Sequence, residues 1–121
     1  MVAKDFEGKT ELLKMDEIPD VVSLRKCQLV VVDGPNRGKK LTLNKNITKV
    51  GKRESNDLIL ADKTVSRNHV EIEYASDSFL LRDLGSTNGT FVNGERITTA
   101  HLQDGDRITV GRTTMLYRVR R

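Results

Sequence analysis

Tryptophan is absent from this sequence, and two Tyr and three Phe make up all of its aromatic residues. A core must therefore be assembled mainly from Val, Leu and Ile. No interleaved aromatics offer a platform for stacking single-stranded nucleic acid. Cysteine occurs once, at Cys27, which excludes an intramolecular disulfide and, with only two His, argues against a zinc site. The longest apolar run is Leu29 to Val32, far short of the roughly 20 residues that cross a membrane. Lys4, Asp5, Glu7 and Lys9 interrupt any secretory pattern at the N-terminus. The expectation is a cytoplasmic protein with no metal, no cofactor and no membrane partner. Catalytic signals are missing too. No paired carboxylates stand out, and Ser66 and His69 lack the nucleophile elbow and oxyanion-hole motif of a serine hydrolase. No enzyme activity is expected.

What the sequence does contain is unevenly distributed charge. Residues 1–24 hold three Lys against six Asp or Glu, and residues 25–121 hold 18 basic against 11 acidic residues. The length of 121 residues suits one domain. The first 24 residues, with Pro19 and no strand alternation, read as a flexible acidic arm ahead of a domain over 25–121. Within the arm, Thr10 is a candidate phosphorylation site. The basic body favours an anionic partner without saying which.

From Lys26 onward, short apolar or alternating runs are separated by turn chemistry. Val70-Glu71-Ile72-Glu73-Tyr74 puts its apolar residues on one face. Phe79 to Leu84 answers it across a turn at Ala75 to Ser78. Phe91-Val92 runs into Asn93-Gly94, a strong hairpin signal, with Glu95 to Thr98 as the return strand. About ten to eleven short strands without a helix predict an all-β sandwich with its loops gathered at the ends. A small closed barrel is the alternative.

Three polar loops hold the unusual content: Gly51 to Asp57, Thr64 to His69, and Leu84 to Thr90. Together they supply cations, hydroxyls, an amide and backbone N–H groups, which suit a phosphate dianion with three strong acceptor oxygens. Gly51-Lys52, Ser66-x-x-His69, Gly85-Ser86-Thr87-Asn88-Gly89-Thr90 and Asn93-Gly94 follow one another in order. Leu102-x-Asp104-Gly105-Asp106-x-Ile108-x-x-Gly111 closes the series. This ordered set resembles the forkhead-associated (FHA) domain, a phosphothreonine-binding module, over roughly residues 27–120. The resemblance implies that Ser66 donates to a phosphate oxygen and that Arg67 meets phosphate or ligand backbone. It implies that Thr87 contacts the phosphothreonine region and that Asn88 hydrogen-bonds the ligand main chain. Lys52 stands where the family usually has an Arg, and a lysine is a point charge where arginine is a planar fork. Arg53 is a second-tier substitute. Gly51, His69 and Gly89 look architectural. The implied partner is a phosphothreonine-containing protein, or the chain's own arm, with a Ser/Thr protein kinase upstream. Similar modules also open bacterial signalling proteins, including activators of sigma-54-dependent transcription.

Two other readings stay open. A basic nucleic-acid-binding domain would use the C-terminal Arg118-Val119-Arg120-Arg121, although no recognition-helix pattern is present. A structural interaction domain with a degenerate phosphate pocket would be consistent with Lys52. Gly34 to Lys40 faintly resembles a P-loop, but it lacks the Ser or Thr after Lys and precedes a strand, so a hairpin turn is expected there.

Overall fold

Alternation of buried and partly exposed side chains marks the strands of the computed structural model, which describes residues 26–120. The arm over 1–24 and Thr10 lie outside the described residues. Eleven strands follow in order: β1 (Lys26–Asp33), β2 (Lys40–Thr42), β3 (Ile47–Gly51), β4 (Leu58–Ile59), β5 (Val70–Ala75), β6 (Ser78–Asp83), β7 (Thr90–Val92), β8 (Glu95–Ile97), β9 (Thr99–His101), β10 (Arg107–Val110) and β11 (Thr113–Arg120). They form two separate sheets, ordered β2-β1-β11-β10-β7-β8 and β4-β3-β5-β6-β9. The architecture is a β-sandwich, not a closed barrel. Pairing is antiparallel except between β3 and β4.

One side chain in two points inward from each long strand. β1 buries Cys27, Leu29 and Val31, and β11 buries Met115 and Tyr117 against them. The opposing sheet contributes Val50, Val70, Ile72, Phe79 and Leu81. Phe79 bridges the few aromatics, with its ring centroid 5.4 Å from Tyr74 and 6.4 Å from Tyr117. The core is thus mainly aliphatic, with its aromatic contacts gathered around Phe79.

Two hairpins show how local chemistry sets register. Asn93 and Gly94 adopt φ of 51° and 87°, the pair of left-handed residues that a tight two-residue turn requires. Ser76 and Asp77 do the same at 54° and 66° between β5 and β6, without a glycine. The segment after β8 departs from the sequence expectation of one return strand over Glu95 to Thr98. β8 ends at Ile97, and β9 begins at Thr99 in the other sheet, paired with β6. Gly34 to Lys39 form the β1–β2 hairpin connection, and Lys40 opens β2.

Candidate functional site

The loops after β3, β4 and β6 meet at one end of the sandwich because backbone groups of the first two pair directly. Lys52 N donates to Ser66 O at 3.1 Å, Arg53 N to Arg67 O at 3.1 Å, and His69 N to Val50 O at 3.1 Å. These bonds continue the path of β3 beyond its last residue and force a close approach at Gly51. A Cβ there would overlap the Arg67 carbonyl oxygen. Only glycine fits that approach. Asn56, 7% exposed, locks the same junction by donating its amide to Arg53 O at 2.9 Å and to Arg67 O at 2.8 Å.

His69 is fully buried and ties the second loop to the third. Ser66 N–H donates to its Nδ1 at 3.0 Å, so that nitrogen is the acceptor. The proton therefore sits on Nε2, which donates to Gly89 O at 2.9 Å. Gly89 is itself buried with φ of 86°, and its N–H donates to Ser86 Oγ at 2.9 Å. Both ring nitrogens are committed, so the imidazole is a brace and not a free base.

Two carboxylates organise the remaining turns. Asp83 accepts from Ser86 Oγ and Thr90 Oγ1, each at 2.6 Å, and from the backbone N–H groups of Gly85 and Ser86 at 3.0 Å. Burial pushes its carboxyl upward, but these donors together outweigh that and hold it below the ordinary aspartate value. Asp62, 4% exposed, accepts from Thr64 N and Oγ1, from Thr113 Oγ1 at 2.8 Å and from Arg112 N at 3.0 Å. Here too burial raises the carboxyl, and the hydrogen bonds outweigh it to give a net lowering. Asp62 thereby pins the loop after β4 to the turn between β10 and β11.

On this floor stands an open cavity of about 380 Å³. Lys52, Lys63, Thr64, Val65, Ser66, Arg67, Thr87 and Asn88 line it. Ser66 Oγ accepts the Thr87 N–H at 3.1 Å. Its own O–H has no acceptor among the described residues and is available to a ligand. Asn88 reaches back across 24 residues to donate one amide N–H to Thr64 O at 2.8 Å. Its amide oxygen and second N–H stay at the exposed surface. The side chain therefore clamps two loops as well as facing outward. Lys52 and Arg67 also line a neighbouring cavity of about 330 Å³ with Arg53 and Glu54. Arg53 is absent from the first cavity, whereas Lys52 lines both. Among the described residues none of these four cations, Lys52, Lys63, Arg53 and Arg67, makes an ion pair.

The structure thus brings Lys52, Ser66, Arg67, Thr87 and Asn88 together around one cavity. The FHA domain sequence profile matches residues 48–111, the stretch that carries every one of them. The chain belongs to the FHA domain family. The glycogen accumulation regulator GarA of Mycobacterium tuberculosis is 39% identical over 89 residues, 74% of this chain and 55% of that protein. The oxoglutarate dehydrogenase inhibitor of Corynebacterium glutamicum is 38% identical over 114 residues, 94% of this chain and 80% of that one. A solved FHA domain, from work on phosphothreonine-dependent FHA domain interactions, superposes with a TM-score of 0.72 at 34% identity. That match covers 77% of this chain and 95% of the other. This FHA chain spans about half the length of several curated relatives it matches.

Sequence reasoning missed Asn56, Asp62 and Asp83 as parts of this site. Asp62-x-Thr64 and Asp83-x-x-Ser86 are turn spacings in which an Asp accepts from nearby groups along the chain. That local signal was present, but the partners Arg67, Thr113 and Thr90 lie beyond it. Lys63, one residue ahead of the Thr64 to His69 loop, also lines the cavity.

Among the described residues no group of His, Cys, Asp and Glu is arranged to hold a metal ion. No helix among them is long and apolar enough to cross a membrane.

Proposed function

We propose that this FHA domain binds phosphothreonine in a partner protein and catalyses no reaction. The observation that carries the reading is Ser66. Its Oγ is positioned by the Thr87 N–H, its hydroxyl hydrogen is unclaimed, and Lys52 and Arg67 flank it with unpaired charge. A hydroxyl donor between two cations suits a phosphate dianion, because hydrogen bonds to such a group are about twice as strong as neutral ones. Lys52 takes the place of the family's usual arginine as a point charge, and Arg53 contributes from the adjoining cavity. Asn88 holds the cavity edge and turns its free amide atoms to the ligand backbone. The solved relative studied for phosphothreonine-dependent interactions supports the ligand class.

The ligand's phosphate places a Ser/Thr protein kinase upstream. The relatives named as a regulator and an inhibitor support a signalling role exerted by binding. Preference for threonine over serine needs more than the extra methyl, whose burial is worth about 0.8 kcal/mol, or roughly fourfold. A β-branched residue also brings a stiffer χ1 to the pocket. Thr10, outside the described residues, is a further ligand for the pocket once phosphorylated.

A phosphopeptide library screen tests the reading, with Ser66→Ala and Asn88→Ala proteins as controls. The expected result is binding of phosphothreonine peptides over their unphosphorylated twins, lost in Ser66→Ala. Equal binding of the two forms would mean a degenerate pocket. Affinity that falls steeply with salt and ignores Asn88 would mean nucleic acid.

A further inference from the structure

The two outer faces of the sandwich differ in how their charges are met. On the β4-β3-β5-β6-β9 sheet, Arg82 bridges Glu71 and Glu73 at 3.4 Å and 3.2 Å. At the edge of that sheet, Lys45 pairs with Asp57 at 2.8 Å. On the other outer face no ion pair forms among the described residues. Ladder register puts Lys40, Val30, Leu116 and Arg107 in one row across four strands. The next rows hold Thr42, Gln28 and Arg118, then Lys26 and Arg120. On the opposite side Thr114, Thr109, Phe91 and Arg96 continue the face. Asp33, opposite Thr114 at the far end of β1, is the one carboxylate in these rows, and it accepts from Gly34 N at 3.0 Å. The six cations make no ion pair among the described residues. They surround a partly exposed apolar centre of Val30, Leu116 and Phe91.

We propose that this face docks the chain's own N-terminal segment, residues 1–25, while that segment is unphosphorylated. Complementarity points to it. Residues 1–24 carry six carboxylates against three Lys, together with Leu12, Leu13, Met15, Ile18 and Val22 for the apolar centre. Position agrees as well. The segment joins the domain at Lys26, the first residue of β1, on this face. The other end of β1 leads into the turn where Asn36 accepts from Ala61 N, close to the binding loops. The segment therefore starts at the end of the basic sheet remote from the cavity of Ser66. A tether this short raises its effective concentration to about the millimolar range, so modest complementarity suffices. A face rich in cations also raises the local concentration of any acidic segment. This docking is independent of the loop-end cavity and of phosphothreonine binding.

The test uses the full chain with Thr10→Cys carrying a nitroxide label. Cys27 is buried and escapes labelling, and Cys at position 10 cannot become phosphothreonine. In the ¹⁵N-labelled protein, amide signals of Gln28, Thr109, Leu116 and Arg118 should lose about half their intensity or more relative to the reduced label. Arg118→Glu with Arg120→Glu should restore them while leaving the shifts of the other sheet unchanged. Raising the salt tenfold should weaken the effect, because the charges are exposed. Broadening centred on Ser66 and Asn88 would overturn the proposal and place the segment at the cavity. So would uniform signals, which would leave the face to an external acidic partner. Broadening that appears only between labelled and unlabelled copies would overturn it in favour of a second chain.

Discussion

The floor and the rim of the loop-end site obey opposite rules. On the floor every polar group is matched: His69 uses both ring nitrogens, Asn56 reaches two carbonyls, and Asp62 and Asp83 each collect several donors. On the rim Lys52, Lys63, Arg53 and Arg67 are exposed, and none is engaged in an ion pair among the described residues. The floor fixes backbone geometry at the cost of buried polar groups, which stay neutral in energy only while all are satisfied. The rim keeps its charges in solvent, ready to meet an anion. Changes to the floor should therefore damage fold and binding together, and changes to the rim should separate them.

His69→Ala is the strongest way to break the floor. It orphans Ser66 N and Gly89 O and leaves a void, so urea denaturation should show a loss of about 2–5 kcal/mol. Phosphopeptide binding should fall with it, and intact stability would sink the floor assignment. Gly51→Ala comes next, at about 1–3 kcal/mol by overpacking against the Arg67 carbonyl. Ser66→Ala tests the rim: removing a donor to a charged group should cost about 1.5–3 kcal/mol of binding, roughly 10- to 100-fold. Its melting temperature should stay near that of the unaltered protein.

Acid should act through the floor. Asp62 and Asp83 have folded-state values below their unfolded ones, so their contribution is complete above about pH 4, the unfolded aspartate value. It is lost as pH falls through the lowered values. Asp83→Asn should therefore flatten the fall of stability below about pH 4, measured by chemical denaturation at several pH values. The smallest effect expected is that of Lys52→Arg. A planar fork in place of a point charge should improve phosphopeptide affinity by only a few-fold. Lys52→Ala should weaken binding and reduce its salt dependence.

Much of this was legible in the sequence, for identifiable reasons. The alternation of Val70 to Tyr74 and the Asn93-Gly94 pair are local signals, and both correspond to strands and a turn where expected. Loop chemistry marked three polar loops, and the FHA resemblance singled out Gly51, Ser66, Arg67, Thr87 and Asn88 within them. The turn at Ala75 to Ser78 is where the sequence places it, but the positive φ of Ser76 and Asp77 was not legible, because neither residue advertises it as glycine does. The braces were not readable at all. Asp62 meets Thr113 across 51 positions, and Asn56 meets Arg67 across 11. Such pairs are set by how the two sheets stack, and no local pattern reports that. The same holds for the allocation of β9, whose partner β6 lies 16 residues upstream of it.

That allocation has a consequence for how the molecule comes apart. Thr98 alone separates β8, on the edge of one sheet, from β9, on the edge of the other. Its carbonyl accepts from Asp83 N at 2.9 Å, one residue before the loop that carries Thr87 and Asn88. With so short a strap between them, the sheets cannot swing open on that side while both strands stay paired. Opening the sandwich there means stripping an edge strand first. Partial unfolding on that side should therefore reach the β6–β7 loop early, and amide exchange in the recognition loops should report on the integrity of a strand pair far from any ligand.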